Sequence, residues 1–118
     1  MSRRSQRMGD ILRSEISTIL QRRVSDPRVR LTSVTAVEMS PDLRYARVSI
    51  SVVGDEAAQE ASLEAVRHAA GYIRGELGRQ VKRLRNIPEL RFELDRGAEY
   101  SQRISELLEN PDGHKQST

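Results

Sequence analysis

The 118-residue sequence has no cysteine and no tryptophan, only two histidines, one phenylalanine and three tyrosines. Without cysteine there is no disulfide framework and no thiolate metal site. His68 and His114 leave little for a histidine metal cluster or a Ser-His-Asp triad, and no cysteine or second nearby histidine supports a catalytic role for His68. Neither a Walker loop nor a dinucleotide-binding glycine fingerprint is present. The opening stretch MSRRSQRMGD lacks a long apolar run, so neither a signal peptide nor a membrane span is expected there. A soluble, reducing, cytoplasmic setting is the expectation, with no enzyme activity, cofactor or metal. The length suits one small domain with a single core.

What the chain does have is arginine. Of its 20 basic residues, only Lys82 and Lys115 are lysine. Residues 1–30 hold eight arginines against three acids, and residues 67–91 hold seven basic residues against two acids. Residues 31–66 reverse this with two against six, and residues 92–118 with three against six. Arginine pairs bidentately with phosphate, and such segregation predicts one cationic face. The base composition of a GC-rich genome is a second reading of the preference for arginine, but it leaves the segregation unexplained.

Apolar spacing predicts a helix over residues 5–24, carried by Met8, Ile11, Leu12, Ile16, Ile19, Leu20 and Val24 and stopped by Pro27. LTSVTAVEMS and RYARVSISVV read as a β-hairpin around the turn SPDL, with Ala46, Val48, Ile50 and Val52 facing inward. A helix follows, acidic in its first turns, whose Glu56, Glu60 and Glu64 form a solvated face. Its apolar line of Leu63, Val66, Ala70, Ile73, Leu77, Val81 and Leu84 continues past Gly71. Two helical pieces with a bend at Ala69, Ala70 and Gly71 are therefore expected, the second ending before Pro88. LRFELD is the third strand, with Leu90, Phe92 and Leu94 inward. A short amphipathic piece bearing Ile104, Leu107 and Leu108 precedes a polar, disordered tail. The order α-β-β-α-kink-α-β predicts a single α+β domain ending near residue 96, with helices on one face of its sheet.

On a helical wheel, Arg74, Arg85, Gly78, Lys82, Gly75 and Arg79 follow one another opposite the core stripe. Bare backbone at Gly75 and Gly78 among cations lets a phosphate chain approach closely; a poorly optimised solvent face is the alternative. Arg74, Gly75, Gly78, Arg79, Lys82, Arg83 and Arg85 are accordingly the candidate RNA-binding residues. Arg3, Arg4 and Arg7 are expected on a mobile basic arm that either touches RNA or solubilises the terminus. Arg22 and Arg23 are further candidate contacts. GELG at 75–78 is not read as a phosphate-clamping GxxG loop, because Leu77 belongs to the core and Glu76 would repel phosphate. Only Tyr45 is expected to be exposed on a strand, so base stacking should not dominate.

The stretches QRMGDILRSEISTILQRRVSDPRV, VTAVEMSPDLRYARVSISV, AAGYIRGELGRQVKRLRNIPELRFELD and ISELLE resemble the ribosome-binding factor A family over roughly residues 6–109. The resemblance implies a KH type II-like domain in which an interhelical Ala-x-Gly kink, here Ala69-Ala70-Gly71, replaces the GxxG loop. On that basis residues 1–96 form an rRNA-binding domain with a flexible basic arm at 1–5. Residues 97–118 form a short helical segment and a disordered tail, in place of the longer charged extension of some relatives. The resemblance also implies a monomeric, non-catalytic assembly factor that binds 16S rRNA and the free small subunit. Late 16S rRNA maturation including its 5′ end, a role in cold growth, antagonism with translation initiation and release by an assembly GTPase belong to the same implication. A general nucleic-acid-binding KH-like module, or a protein-interaction adaptor using residues 31–66, are the alternatives.

Overall fold

The computed structural model describes residues 3–82 and 84–95. Helix α1 spans Arg3–Arg22, a 3₁₀ turn Pro27–Val29, strand β1 Thr32–Met39 and strand β2 Tyr45–Val52. Helix α2 (Glu56–His68), helix α3 (Ala70–Gln80) and strand β3 (Glu89–Leu94) complete the predicted α-β-β-α-α-β order. The expected C-terminal helical piece and tail, and Arg83, lie outside the described residues.

Strand order in the sheet is β1-β2-β3. β1 and β2 are an antiparallel hairpin, whereas β3 returns parallel to β2 through α2 and α3, as a parallel neighbour requires. Alternation decides which face is buried. Ala46, Val48, Ile50 and Val52 turn inward, joined by Leu90 and Phe92 from β3. β1 carries one feature its alternation does not announce: its register slips between Val34 and Ala36. The extra residue, Thr35, lets Val34 and Met39 both face the core, although they are an odd number of positions apart. The Thr35 hydroxyl donates to Ser49 O at 3.2 Å or to the Asp95 carboxylate at 2.6 Å, tying the bulge across the sheet.

All three described α-helices cover that one face. On α1, Ser5, Gly9, Leu12, Ile16, Ile19 and Leu20 make the buried stripe, while Met8, Ile11 and Val24 sit half-buried at its margins. Gly9 brings α1 close to β1: a Cβ there would lie 2.6 Å from the Val37 carbonyl oxygen. Leu63 and Val66 of α2 meet Ile73 and Leu77 of α3 in the same core. Each large side chain so buried contributes about 1.5–3 kcal/mol, which is how short helices survive here.

The helical break falls at Ala69, at once the C-cap of α2 and the N-cap of α3, with φ −81° and ψ −3°. Gly71 lies in the first turn of α3, where an added Cβ would meet nothing within 4 Å. The bend is thus located where the apolar line predicted it, but Gly71 does not owe its place to crowding. The second helical piece is shorter than the wheel assumed. Val81 leaves helical geometry at φ −110° and ψ 88°, so Lys82 and Arg85 are not on α3. Two glycines within four residues weaken the helix end, and residues 84–88 fold back to reach β3. Ile87 packs over Gly78, within 3.5 Å of where a Cβ would stand. Tertiary packing overrode the periodicity. Likewise α1 begins at Arg3, so Arg3, Arg4 and Arg7 are helical residues, where the sequence predicted a mobile arm.

Candidate nucleic-acid interface

The predicted basic helix face is largely occupied by the fold itself. Arg74 donates from Nε to Pro88 O at 3.1 Å and from a terminal nitrogen to Ile87 O at 3.0 Å, clamping the returning chain to α3. Arg79 donates to the Glu76 carboxylate at 2.8 Å, and Arg23 approaches the same carboxylate at 3.5 Å. Glu76, read from the sequence only as a residue that would repel phosphate, is buried and links the end of α1 to α3. The Arg79 hydrogen bond, ahead of any other influence, holds its carboxyl below the ordinary glutamate value. Gly75 and Gly78 are exposed on α3, but Gly78 is overlain by Ile87.

Cations without an ion-pair partner among the described residues gather elsewhere. Arg3, Arg4 and Arg7 occupy the first turns of α1, which carry no acid. Cations there oppose the helix dipole, so they add positive potential where the helix N-terminus already supplies it. Arg85, in the connection from α3 to β3, lies beside them. With Arg44 from the β1–β2 turn it shares a groove of about 540 Å³ whose lining also includes Arg4 and Met8. A second depression of about 490 Å³, lined by Arg3, Arg4, Arg7, Met8 and Ile11, adjoins it through Arg4 and Met8. Two basic blocks far apart in sequence thus meet at one end of the domain. Lys82 is exposed in the turn after α3.

Arg44 is the residue the sequence reading missed. It lies in an acidic block by composition, and only the hairpin turn delivers it to the basic end. That turn is held by Leu43 N–H donating to Ser40 O at 2.9 Å and by the Asp42 carboxylate. Asp42 accepts from the Ser40 hydroxyl at 2.7 Å and from Arg44 N–H at 3.1 Å, and these bonds lower its pKa in that order. Leu43 takes a φ of +61°, the left-handed region where glycine or asparagine is ordinary. The signal that could have found it is SPDLR itself, a turn with no glycine to absorb a positive φ.

Arg22 and Arg23 belong to the other end of α1, roughly 28 Å from Arg3 at 1.5 Å per residue, so they cannot share this groove. The open sheet face is charge-compensated. Arg47 bridges Glu38 at 3.0 Å and Glu93 at 3.1 Å, and Arg91 pairs with Glu89 while its guanidinium covers the Tyr45 ring at 4.2 Å. Tyr45 is therefore not a bare stacking platform. His68 and the Glu56, Glu60 and Glu64 face are exposed, and no group of metal-ligating side chains exists among the described residues. No described helix is long and apolar enough to cross a membrane.

Comparison with known proteins agrees with this fold. The family model described as ribosome-binding factor A matches residues 4–108. Ribosome-binding factor A of Thermomicrobium roseum is 48% identical over 107 residues, covering 91% of this chain and 82% of that protein. The Caldanaerobacter subterraneus protein of the same name is 43% identical over 109 residues, covering 92% and 88%. The crystal structure of ribosome-binding factor A from Thermus thermophilus superposes with a TM-score of 0.68 at 28% identity, over 76% of this chain and 94% of that one. A Thermus thermophilus homology model fitted into a cryo-EM map of a 30S complex gives 0.66 at 28% identity, over 79% and 97%. With the KH type II-like order, the break at Ala69 and this match along nearly its whole length, the chain belongs to the ribosome-binding factor A family.

Proposed function

We propose that this protein is a non-catalytic factor that binds the free small ribosomal subunit in the cytoplasm, as a monomer, through 16S rRNA. It promotes late maturation of that RNA, including its 5′ end, supports growth in the cold and is released by an assembly GTPase. The observation that carries the reading is the convergence of Arg3, Arg4 and Arg7 with Arg44 and Arg85 at one end of the domain. The guanidiniums of Arg3, Arg4, Arg7 and Arg85, with no ion-pair partner among the described residues, are suited to a phosphate backbone, which has no shortage of bidentate acceptors. Lys82, exposed in the turn after α3, is a further candidate contact. Arg74 and Arg79 support it by holding the returning connection and α3 in place, with Gly75 and Gly78 on the same helix.

The test is cosedimentation of the protein with purified small subunits across a salt series. Exchanging Arg4, Arg7 and Arg85 together for Gln leaves every ion pair described above intact. Each lost phosphate contact should flatten the salt slope by ~0.7–0.9, so the triple variant should lose about two to three units and bind weakly. Wild-type affinity and slope in that variant would exclude this end as the rRNA surface. A wild-type protein that ignored small subunits but bound any nucleic acid would favour a general KH-like binder instead.

A further inference from the structure

The groove bounded by Arg4, Arg44 and Arg85 has a shape that a merely basic patch lacks. Its floor is apolar: Met8, Leu43, Leu84 and Ile87 line it while packing half-buried against the core. Its rim carries three guanidiniums from three separate elements, against one carboxylate, Asp42, already engaged by the Ser40 hydroxyl and the Arg44 N–H. Arg44 Nε stands 4.0 Å from that carboxylate, so the rim retains a clear excess of positive charge.

We propose that this groove holds one unstacked nucleotide of a single-stranded RNA segment, its base on the apolar floor and its flanking phosphates on the arginine rim. This rests on the reading of the same end as the rRNA surface and goes further by naming the form of RNA it takes. Duplex RNA keeps its bases stacked inward and offers only phosphates and sugars, so it leaves the floor empty. A splayed base fills it. The volume of about 540 Å³ lies within the range of single-ligand sites and does not suit a helix. Asn86 also lines the groove, and its amide can donate to or accept from a base edge. Among the described residues no aromatic side chain lines it, so apolar contact and phosphate pairing, rather than stacking, provide the affinity. The chain meanwhile holds Leu43, one of the residues lining the groove, at a positive φ. Backbone held in that region is a mark of positions the surrounding structure over-determines.

The experiment is fluorescence anisotropy of the full chain with a labelled oligouridylate of about ten nucleotides, compared with a labelled RNA duplex. The single strand should bind more tightly than the duplex. Leu84→Ser should weaken single-strand binding roughly five- to tenfold and leave duplex binding unchanged. Arg85→Gln should weaken both. Leu43→Asn, which suits the left-handed backbone, serves as a second floor variant should Leu84→Ser fail to fold, as circular dichroism would reveal. Equal affinity for strand and duplex, floor variants that weaken both alike, or displacement by an acidic peptide better than by RNA would each overturn the proposal. If small-subunit binding persists in any of those cases, the groove inference falls alone. If the protein binds neither subunits nor RNA, the functional reading falls with it.

Discussion

The Arg23 guanidinium, just beyond the end of α1, stands 3.5 Å from the buried carboxylate of Glu76 on α3. Arg79 holds the other oxygen of that carboxylate at 2.8 Å. One acid thereby joins two helices that are distant in sequence, and it takes two cations out of the basic surface in doing so.

This predicts a pH signature. The folded state holds the Glu76 carboxyl below its ordinary value of 4.5. A depressed folded value means the ion pairs stabilise fully above the unfolded value and are lost as pH falls through the folded one. Urea midpoints of the native protein should therefore drop more steeply than those of Glu76→Gln below about pH 5. Asp26 and Asp42 are lowered too, with the same sign, and both remain in the variant. Parallel curves for the two proteins would show that the pairing contributes nothing to stability.

Two glycines in helices should respond in opposite directions. At Gly9 an added methyl meets the Val37 carbonyl at 2.6 Å, a backbone atom that cannot swing aside. Gly9→Ala should destabilise the domain by roughly 1–3 kcal/mol, outweighing its gain in helix propensity. At Gly71 nothing lies within 4 Å, and Gly71→Ala should stabilise by about 0.4–1 kcal/mol. Chemical denaturation of both variants checks the pair, and a destabilising Gly71→Ala would restore a special role for that glycine.

Leu43 offers a third test. A non-glycine residue in the left-handed region costs roughly 1–2 kcal/mol. Leu43→Gly removes both the side chain and that strain, whereas Leu43→Ala removes the side-chain contacts and keeps the strain. The glycine variant should therefore be about 1 kcal/mol more stable than the alanine variant, measured by thermal or urea melts. Equal stabilities would mean that the turn relaxes without cost.

Much of the fold was legible because it depends on local periodicity. Alternation in RYARVSISVV marked the inward face of β2, and the apolar line through Leu63, Val66, Ile73 and Leu77 crossed the break at Ala69 without losing register. Those patterns report how each element must bury its own face, and they need no knowledge of neighbours. The bulge at Thr35 was not legible, since a single extra residue leaves the composition of a strand unchanged.

The candidate site divides along the same line. The sequence by itself determined that the chain is arginine-rich and that its charge is segregated. It could not decide which arginines remain free, because that depends on what each meets across the fold. Arg74 was taken by the Ile87 and Pro88 carbonyls and Arg79 by Glu76, both on a helix that ends at Gln80. Arg4, Arg44 and Arg85 were brought to one groove from a helix start, a hairpin turn and a loop. A side chain's charge is written in its own residue type, but its partner is set by long-range packing. Only the tertiary structure assigns which cations are left to face an anion.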